Sequence, residues 1–384
     1  MILSLTVYTG TAVVMAMLGW HVSQREQRRL SQGGTELPFL SWEIVTALLI
    51  YIAVSSARWL TSWDYNMYYS YYVSLQSLND FSRENFEPGF HAVTWAMGRL
   101  GLSYVFYFAF WATLHIVLLY YALRHHKFLL PWVALCIFLG PYYVQWMSTL
   151  RQAVVECLLV VMVGLIVHRK FWIYLLLTLL AMTIHKMAVL LLPLYLVPLV
   201  KVRWGGRWLP YALLGLCVVL GSFPQWIQWC FDQAGHLFSM VGYGHYYRLF
   251  STDSHFAFRF VMGPTRLCPL LTGIMIIWLY PAMRRMFASD WLLPAAYRFM
   301  LLGLGYLNLM GNTTQYLSRP GDLTRGLALV MTCYAMCLLW RQRRWMALAA
   351  LCALNFYYIY YEIFKAVAYG GSIYTPELYH TFLF

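Results

Sequence analysis

Apolar runs alternate with short polar joints along almost the whole chain. Read by that pattern, about twelve segments qualify as membrane spans: 2–20, 39–58, 101–123, 129–147, 151–167, 171–186, 187–200, 208–222, 260–282, 291–310, 323–340 and 345–363. Runs such as 129–144 are apolar on every face. Helices in lipid look like this, whereas barrel strands alternate over about ten residues. The predicted fold is an all-α polytopic integral membrane protein. Segments 171–186 and 187–200 run to about 15 residues, short of the roughly 20 needed to cross. His185 and Lys186 separate them, and Pro193 and Pro198 lie in the second. Either a re-entrant hairpin or one kinked helix over 171–198 is expected there.

Polar joints set the sidedness. Those at 25–29, 124–127, 168–170, 201–207, 284–285 and 341–344 gather Lys and Arg with almost no acid, which assigns them to the cytoplasm. Residues 1–20 do not read as a cleavable signal, because Arg25, Arg28 and Arg29 follow the apolar run instead of preceding it. The opposite face then carries 59–100, 223–259, 311–322 and the tail from 364. The whole chain, 1–384, reads as one transmembrane domain, with 59–100 and 223–259 capping a site.

Composition sharpens this picture. With 61% hydrophobic and 11% charged residues, a soluble globular protein is excluded. Most of the eight cysteines lie inside apolar runs, and none forms a C-x-x-C. They read as packing residues, so neither a metal site nor a cofactor is expected. No nucleic-acid partner is expected; the lipid bilayer is the first partner implied.

Charge on the outer face is the unexpected feature. Arg151, His185, Lys186, Arg259, Arg266, Arg319 and Arg325 all fall at or just inside predicted outer boundaries. Snorkelling explains single cases, but topology rules disfavour cations on that side. An anionic ligand explains the group, and a lipid-linked pyrophosphate suits guanidinium forks. No Asp-x-Asp motif offers a divalent-metal clamp, so Arg151, Lys186, Arg319, Arg325 and Arg266 are the expected pyrophosphate ligands. His185, Glu87, His91, Asp64 and Asp322 are the candidate bases. Each has a plainer reading: Asp322 as an ion pair three residues before Arg325, Glu87 and His91 as a cap, His185 as a core histidine. Glu156 reads as a buried counter-ion. His125 and His126 read as topology signals alone. Aromatic residues mixed with charge, namely Tyr65, Tyr68, Tyr246, Tyr247 and Arg248, suit glycan binding, beside the ordinary interfacial belt.

The block LRQAVVECLLVVMVGLIVHRKFWIYLLLTLLAMTIHKMAVLLLPLYLV (150–197) resembles the EpsG family of Wzy-type polysaccharide polymerases. Arg-Gln opens a helix, a basic turn follows, and a helix ends on an intruding histidine. The Asp64-Tyr65-x-x-Tyr68 stretch, Glu87-Pro88-Gly89-Phe90 and Arg325 match its layout, and the resemblance covers roughly 45–365. Arg319-Pro320-Gly321-Asp322 departs from it as a charged, turn-like approach to Arg325. The resemblance implies a GT-C-like architecture and an extracytoplasmic glycosyltransferase in a bacterial inner membrane, its site facing the periplasm. A glycan on undecaprenyl pyrophosphate would be transferred to another lipid-linked repeat unit, with undecaprenyl pyrophosphate leaving. A Wzx-type flippase and a Wzz-type chain-length regulator are the implied partners. A ligase using another acceptor and a flippase of the same lipid-linked oligosaccharide remain alternatives.

Overall fold

A computed structural model describes residues 2–77, 86–197, 208–223, 225–227, 229–230, 262–313, 315–368, 379 and 381. Among these, no strand forms beyond one antiparallel bridge between Arg58 and Thr381. The helices are α1 Ile2–Ser31, α2 Trp42–Ser56, α3 Tyr65–Ser77, α4 Pro88–Arg99, α5 Tyr104–Ala122, α6 Leu130–Leu139, α7 Tyr142–Ser148 and α8 Leu150–Val167. They continue as α9 Phe171–Ile184, α10 Leu191–Leu194, α11 Leu209–Gly221, α12 Pro264–Met286, α13 Leu292–Met310, α14 Gln315–Asp322, α15 Arg325–Arg341 and α16 Trp345–Ala368.

Five of these, α1, α5, α8, α12 and α13, are long and apolar enough to cross a bilayer. The expected span 129–147 is broken: α6 and α7 meet at a 64° bend. Gly140 and Pro141 lie at that break, and proline removes a backbone donor there. Helices α2, α9 and α11 and the Trp345–Tyr361 part of α16 are shorter apolar elements. The protein is thus an all-α, multi-pass membrane protein.

Over 171–197 the chain forms a hairpin. Helix α9 ends at Ile184, and His185 is extended at φ −150° and ψ 117°. A 3-10 turn, Lys186–Leu190, and the single turn of α10 then run back along α9. Tyr195 reaches the start of α9, its ring 5.1 Å from both Phe171 and Tyr174. The Tyr174 hydroxyl donates to the Leu191 carbonyl at 2.5 Å.

Helix α15 lies at the centre, buried from Leu329 to Leu339 without interruption and packed on α6, α8, α12, α13 and α16. Two glycines bring its N-terminus close to its neighbours. A Cβ on Gly326 would sit 2.9 Å from Val160 and 3.2 Å from the Glu156 carbonyl, so α8 and α15 touch there. A Cβ on Gly303 of α13 would collide with Thr324. These close approaches fix Arg325 at the junction of α8, α13 and α14.

Candidate functional site

The site is assembled from four loops or helix starts at one end of the bundle. Its first part is an ion cluster around Glu87, the residue before α4. The carboxylate accepts from the Arg151 guanidinium and, at 3.0 Å, from the Lys186 backbone amide. His185 Nδ1 lies 3.4 Å from Glu87 Oε1, a contact too poorly aligned to be a hydrogen bond, and His185 Nε2 is buried without a hydrogen-bond partner. Burial raises the Glu87 pKa, but the His185 ring, the Lys186 amide and the Arg151 charge outweigh it and hold the carboxyl at about 2. Arg151 is further fixed by aromatic faces, 4.7 Å from the Phe86 ring centre and 5.3 Å from that of Phe90. This cluster ties the hairpin tip to α4 and α8.

The second part is a cavity of about 620 Å³ between α7 and helices α12 to α16. Arg266, Arg319 and Arg325 line it together with Asp64 and Asp322. Arg325 is paired with Asp322. Arg266 donates to the Asn312 side chain and to the Leu307 carbonyl at 3.2 Å. Burial pushes the Asp322 carboxyl above its ordinary range, opposed by Arg325, a hydrogen bond from Gln152 and the Arg319 charge. Burial likewise raises the Asp64 carboxyl, against Arg319 and Arg151.

Gln152 joins the two parts. Successive helical residues point about 100° apart, so Arg151 turns to Glu87 while Gln152 turns inward. Its amide donates to Glu156 at 3.1 Å and lies close enough to Asp322 to influence its charge. Glu156 is fully buried, accepts from Trp146 Nε1 at 2.9 Å and lies within electrostatic reach of Arg325.

Other expected residues lie elsewhere. The Lys186 side chain is exposed, and its amide, not its ammonium, engages the cluster. His91 is buried and hydrogen-bonded to Tyr71. Tyr65, 1% exposed, packs on Trp59, Tyr69 and Phe108, while Tyr68 lies buried beneath Arg151. Neither ring offers a face to a sugar. Tyr246, Tyr247 and Arg248 lie outside the described residues. Arg319-Pro320-Gly321-Asp322, expected as a turn, closes the helix α14 instead. His126, read as a topology signal, is buried and bonds Asp290 at 3.0 Å.

Sequence reading passed over three features. Trp63, Tyr142, Tyr357 and Tyr358 are the aromatic side chains that line the cavity. Gln152 was visible only as the second letter of Arg-Gln. Arg58 is wholly buried and donates to the carbonyls of Ser55, Thr61 and Met147 and to the Ser62 hydroxyl at 2.9–3.2 Å. It holds a loop in which Leu60 (φ 51°) and Ser62 (φ 89°) adopt left-handed backbone, costing about 1–3 kcal/mol each. The same loop delivers Asp64 to the cavity. A cation at the end of an outer span, the signal that drew attention to Arg151, was available for Arg58 too.

Among the described residues, no three His, Cys, Asp or Glu side chains gather as a metal site. The cavity is instead a mixed guanidinium–carboxylate chamber, with aromatic walls, at one end of a helical membrane bundle. That chamber belongs to a multi-pass membrane protein. The EpsG family model matches residues 42–375, most of the chain, and the chain belongs to the EpsG family, whose members are Wzy-type polysaccharide polymerase-like proteins. Its role is accordingly polymerase-like, in polysaccharide biosynthesis. No curated protein and no solved structure matches the chain.

Proposed function

We propose that this chain is a glycosyltransferase of the inner membrane that joins glycan repeat units carried on undecaprenyl pyrophosphate, its cavity facing the periplasm. One observation carries the reading: three arginines share the wall of a cavity with two aspartates beside the buried central helix α15. Arg266, Arg319 and Arg325 bind the pyrophosphate and stabilise it as it leaves, the task a divalent cation performs elsewhere. The acceptor hydroxyl gives its proton to a carboxylate on the same wall and attacks the anomeric carbon, breaking its bond to the phosphate oxygen.

Asp64 is the favoured base. It lines the cavity, and burial makes it a stronger proton acceptor than an ordinary aspartate. Asp322 is held to Arg325 and Gln152 and acts as a positioning residue. The Glu87 cluster braces the entry, and Trp63, Tyr142, Tyr357 and Tyr358 supply sugar-stacking faces.

The test is incubation of purified protein, without added metal, with a synthetic polyprenyl-pyrophosphate repeat unit. Laddered glycans with release of polyprenyl pyrophosphate support the reading. Bound but unreacted substrate favours a second one, passage of the lipid-linked glycan across the bilayer. That reading draws on two broken elements, α6–α7 and the 171–197 hairpin, since discontinuous helices recur in transporters.

A further inference from the structure

We propose that a second hollow, at the opposite end of α15 from the candidate site, binds the headgroup of an anionic phospholipid. Arg325 opens this helix and Arg341 closes it, about 24 Å apart at a rise of 1.5 Å per residue. The hollow has a volume of about 690 Å³. Four tryptophans from four helices shape it: Trp20 of α1, Trp132 of α6, Trp340 of α15 and Trp345 of α16. Their rings interlock around Trp340, with centroids 5.7 Å away for Trp20, 5.8 Å for Trp132 and 5.1 Å for Trp345. Convergence of this kind differs from a belt, in which indoles spread around a perimeter.

The polar lining determines the occupant. Arg341 and Arg343 project there, with Ser23, Gln24 and Gln27 of α1, and no carboxylate is among the lining residues. The Arg341 guanidinium is held 5.4 Å from the Phe128 ring centre and 5.6 Å from that of Phe287. It is therefore ordered before any ligand arrives. Two neighbouring cations on the same face are matched to acids: Arg25 to Glu43 at 3.0 Å and Lys127 to Glu26 at 2.6 Å. Among the described residues, no carboxylate pairs with Arg341 or Arg343.

Two uncompensated guanidiniums suit a phosphodiester, which they bind through paired N–H donors. The amides and hydroxyl of α1 suit a hydroxylated headgroup such as glycerol. Indoles at the rim place acyl chains against an apolar wall. A zwitterionic headgroup would bring an ammonium towards two unmatched cations.

The full chain is reconstituted in nanodiscs of mixed dioleoylphosphatidylglycerol and dioleoylphosphatidylcholine, then washed in detergent, and retained lipid per protein is measured by mass spectrometry. Wild type should retain phosphatidylglycerol over phosphatidylcholine. Arg341→Gln/Arg343→Gln should lower that enrichment about tenfold or more. Arg343→Gln alone changes only an exposed turn residue and should lower it less, which keeps the test informative if the double variant does not fold. Arg169→Gln/Lys170→Gln, on the same face but outside the hollow, should leave it unchanged. Wild-type enrichment in both arginine variants would overturn the site. Equal loss in Arg169→Gln/Lys170→Gln would also overturn it, in favour of general attraction to a basic face.

Discussion

The two ends of the bundle use the same residue types to opposite effect. At the Lys- and Arg-rich end, Glu43 takes His21 and Arg25, Glu26 takes Lys127, and Asp290 takes His126. These pairs join separate helices or turns, and the paired charges hold the elements together. At the other end, Arg266, Arg319, Arg325, Asp64 and Asp322 line one cavity, with Arg325 also paired to Asp322. The difference lies in the space between partners. Charge paired away from any hollow is structural; charge on a cavity wall is available to a ligand even where, as at Arg325, it also has a partner. The Glu87–Arg151 pair belongs to the first kind although it stands at the second end, which favours a bracing part for Arg151, the most conspicuous cation in the sequence.

The comparison breaks most sharply at Arg325. Arg325→Gln should cut polymerisation by about 10²-fold or more, the effect of removing one preorganised donor from a developing anion. Size-exclusion elution should be unchanged. Arg25→Gln, at the paired end, should retain near-wild-type turnover; comparable losses in both variants would erase the distinction.

Next in size is Lys127→Met, which leaves Glu26 without its buried partner. A loss of about 3 kcal/mol in stability is expected, because the remaining charge stays desolvated. Thermal unfolding should report it, while turnover per folded molecule stays constant. A fall in turnover would give that end a catalytic part. Gly326→Val tests the α8–α15 contact, since it inserts methyl groups against Val160 and the Glu156 carbonyl. Overpacking of about 1–3 kcal/mol is expected. Activity should fall more than stability, as Arg325 and Glu156 are pushed apart; a purely thermal defect would show that this contact does not set the site.

The smallest effect is on pH dependence. A carboxylate base works when deprotonated, so the rate falls as pH drops through its pKa. Burial raises that of Asp64, so the acid limb should lie above the ordinary value of 3.8, and Asp64→Asn should abolish it along with most activity. Glu87 behaves oppositely. Its folded pKa of about 2 lies below the ordinary 4.5, so its stabilisation is complete above 4.5 and is lost only as pH falls towards 2. Unfolding followed between pH 4.5 and 8 should therefore show no Glu87 transition, and Glu87→Gln should lower stability throughout that range.

Much of the fold was legible because hydropathy and basic joints report on lipid. The joints at 124–127, 168–170 and 341–344 fall between helices as expected. Hydropathy does not report where a helix stops once it leaves the bilayer. Helix α1 runs on through Gln24, Arg25, Glu26 and Gln27 to Ser31, residues of good helical propensity. Within the expected span 187–200, the described residues 187–197 turn back along α9, because the chain leaves the helix at His185 beside Glu87. That pairing spans 98 positions (185 − 87) and leaves no local trace. The candidate site was legible as an inventory of cations and carboxylates, not as an arrangement. Whether Arg151 or Arg325 faced a cavity depended on Glu87, Gln152 and Gly326, none of which changes the hydrophobic pattern.

The central claim is that the arginine-lined cavity binds a lipid diphosphate. Equilibrium binding of undecaprenyl pyrophosphate to the purified full chain, measured for wild type and for Arg319→Gln/Arg325→Gln, tests it most directly. Binding by wild type, at least about tenfold weaker in the double variant and weaker for undecaprenyl monophosphate, is the predicted result. Equal affinity of both proteins for the pyrophosphate would contradict it.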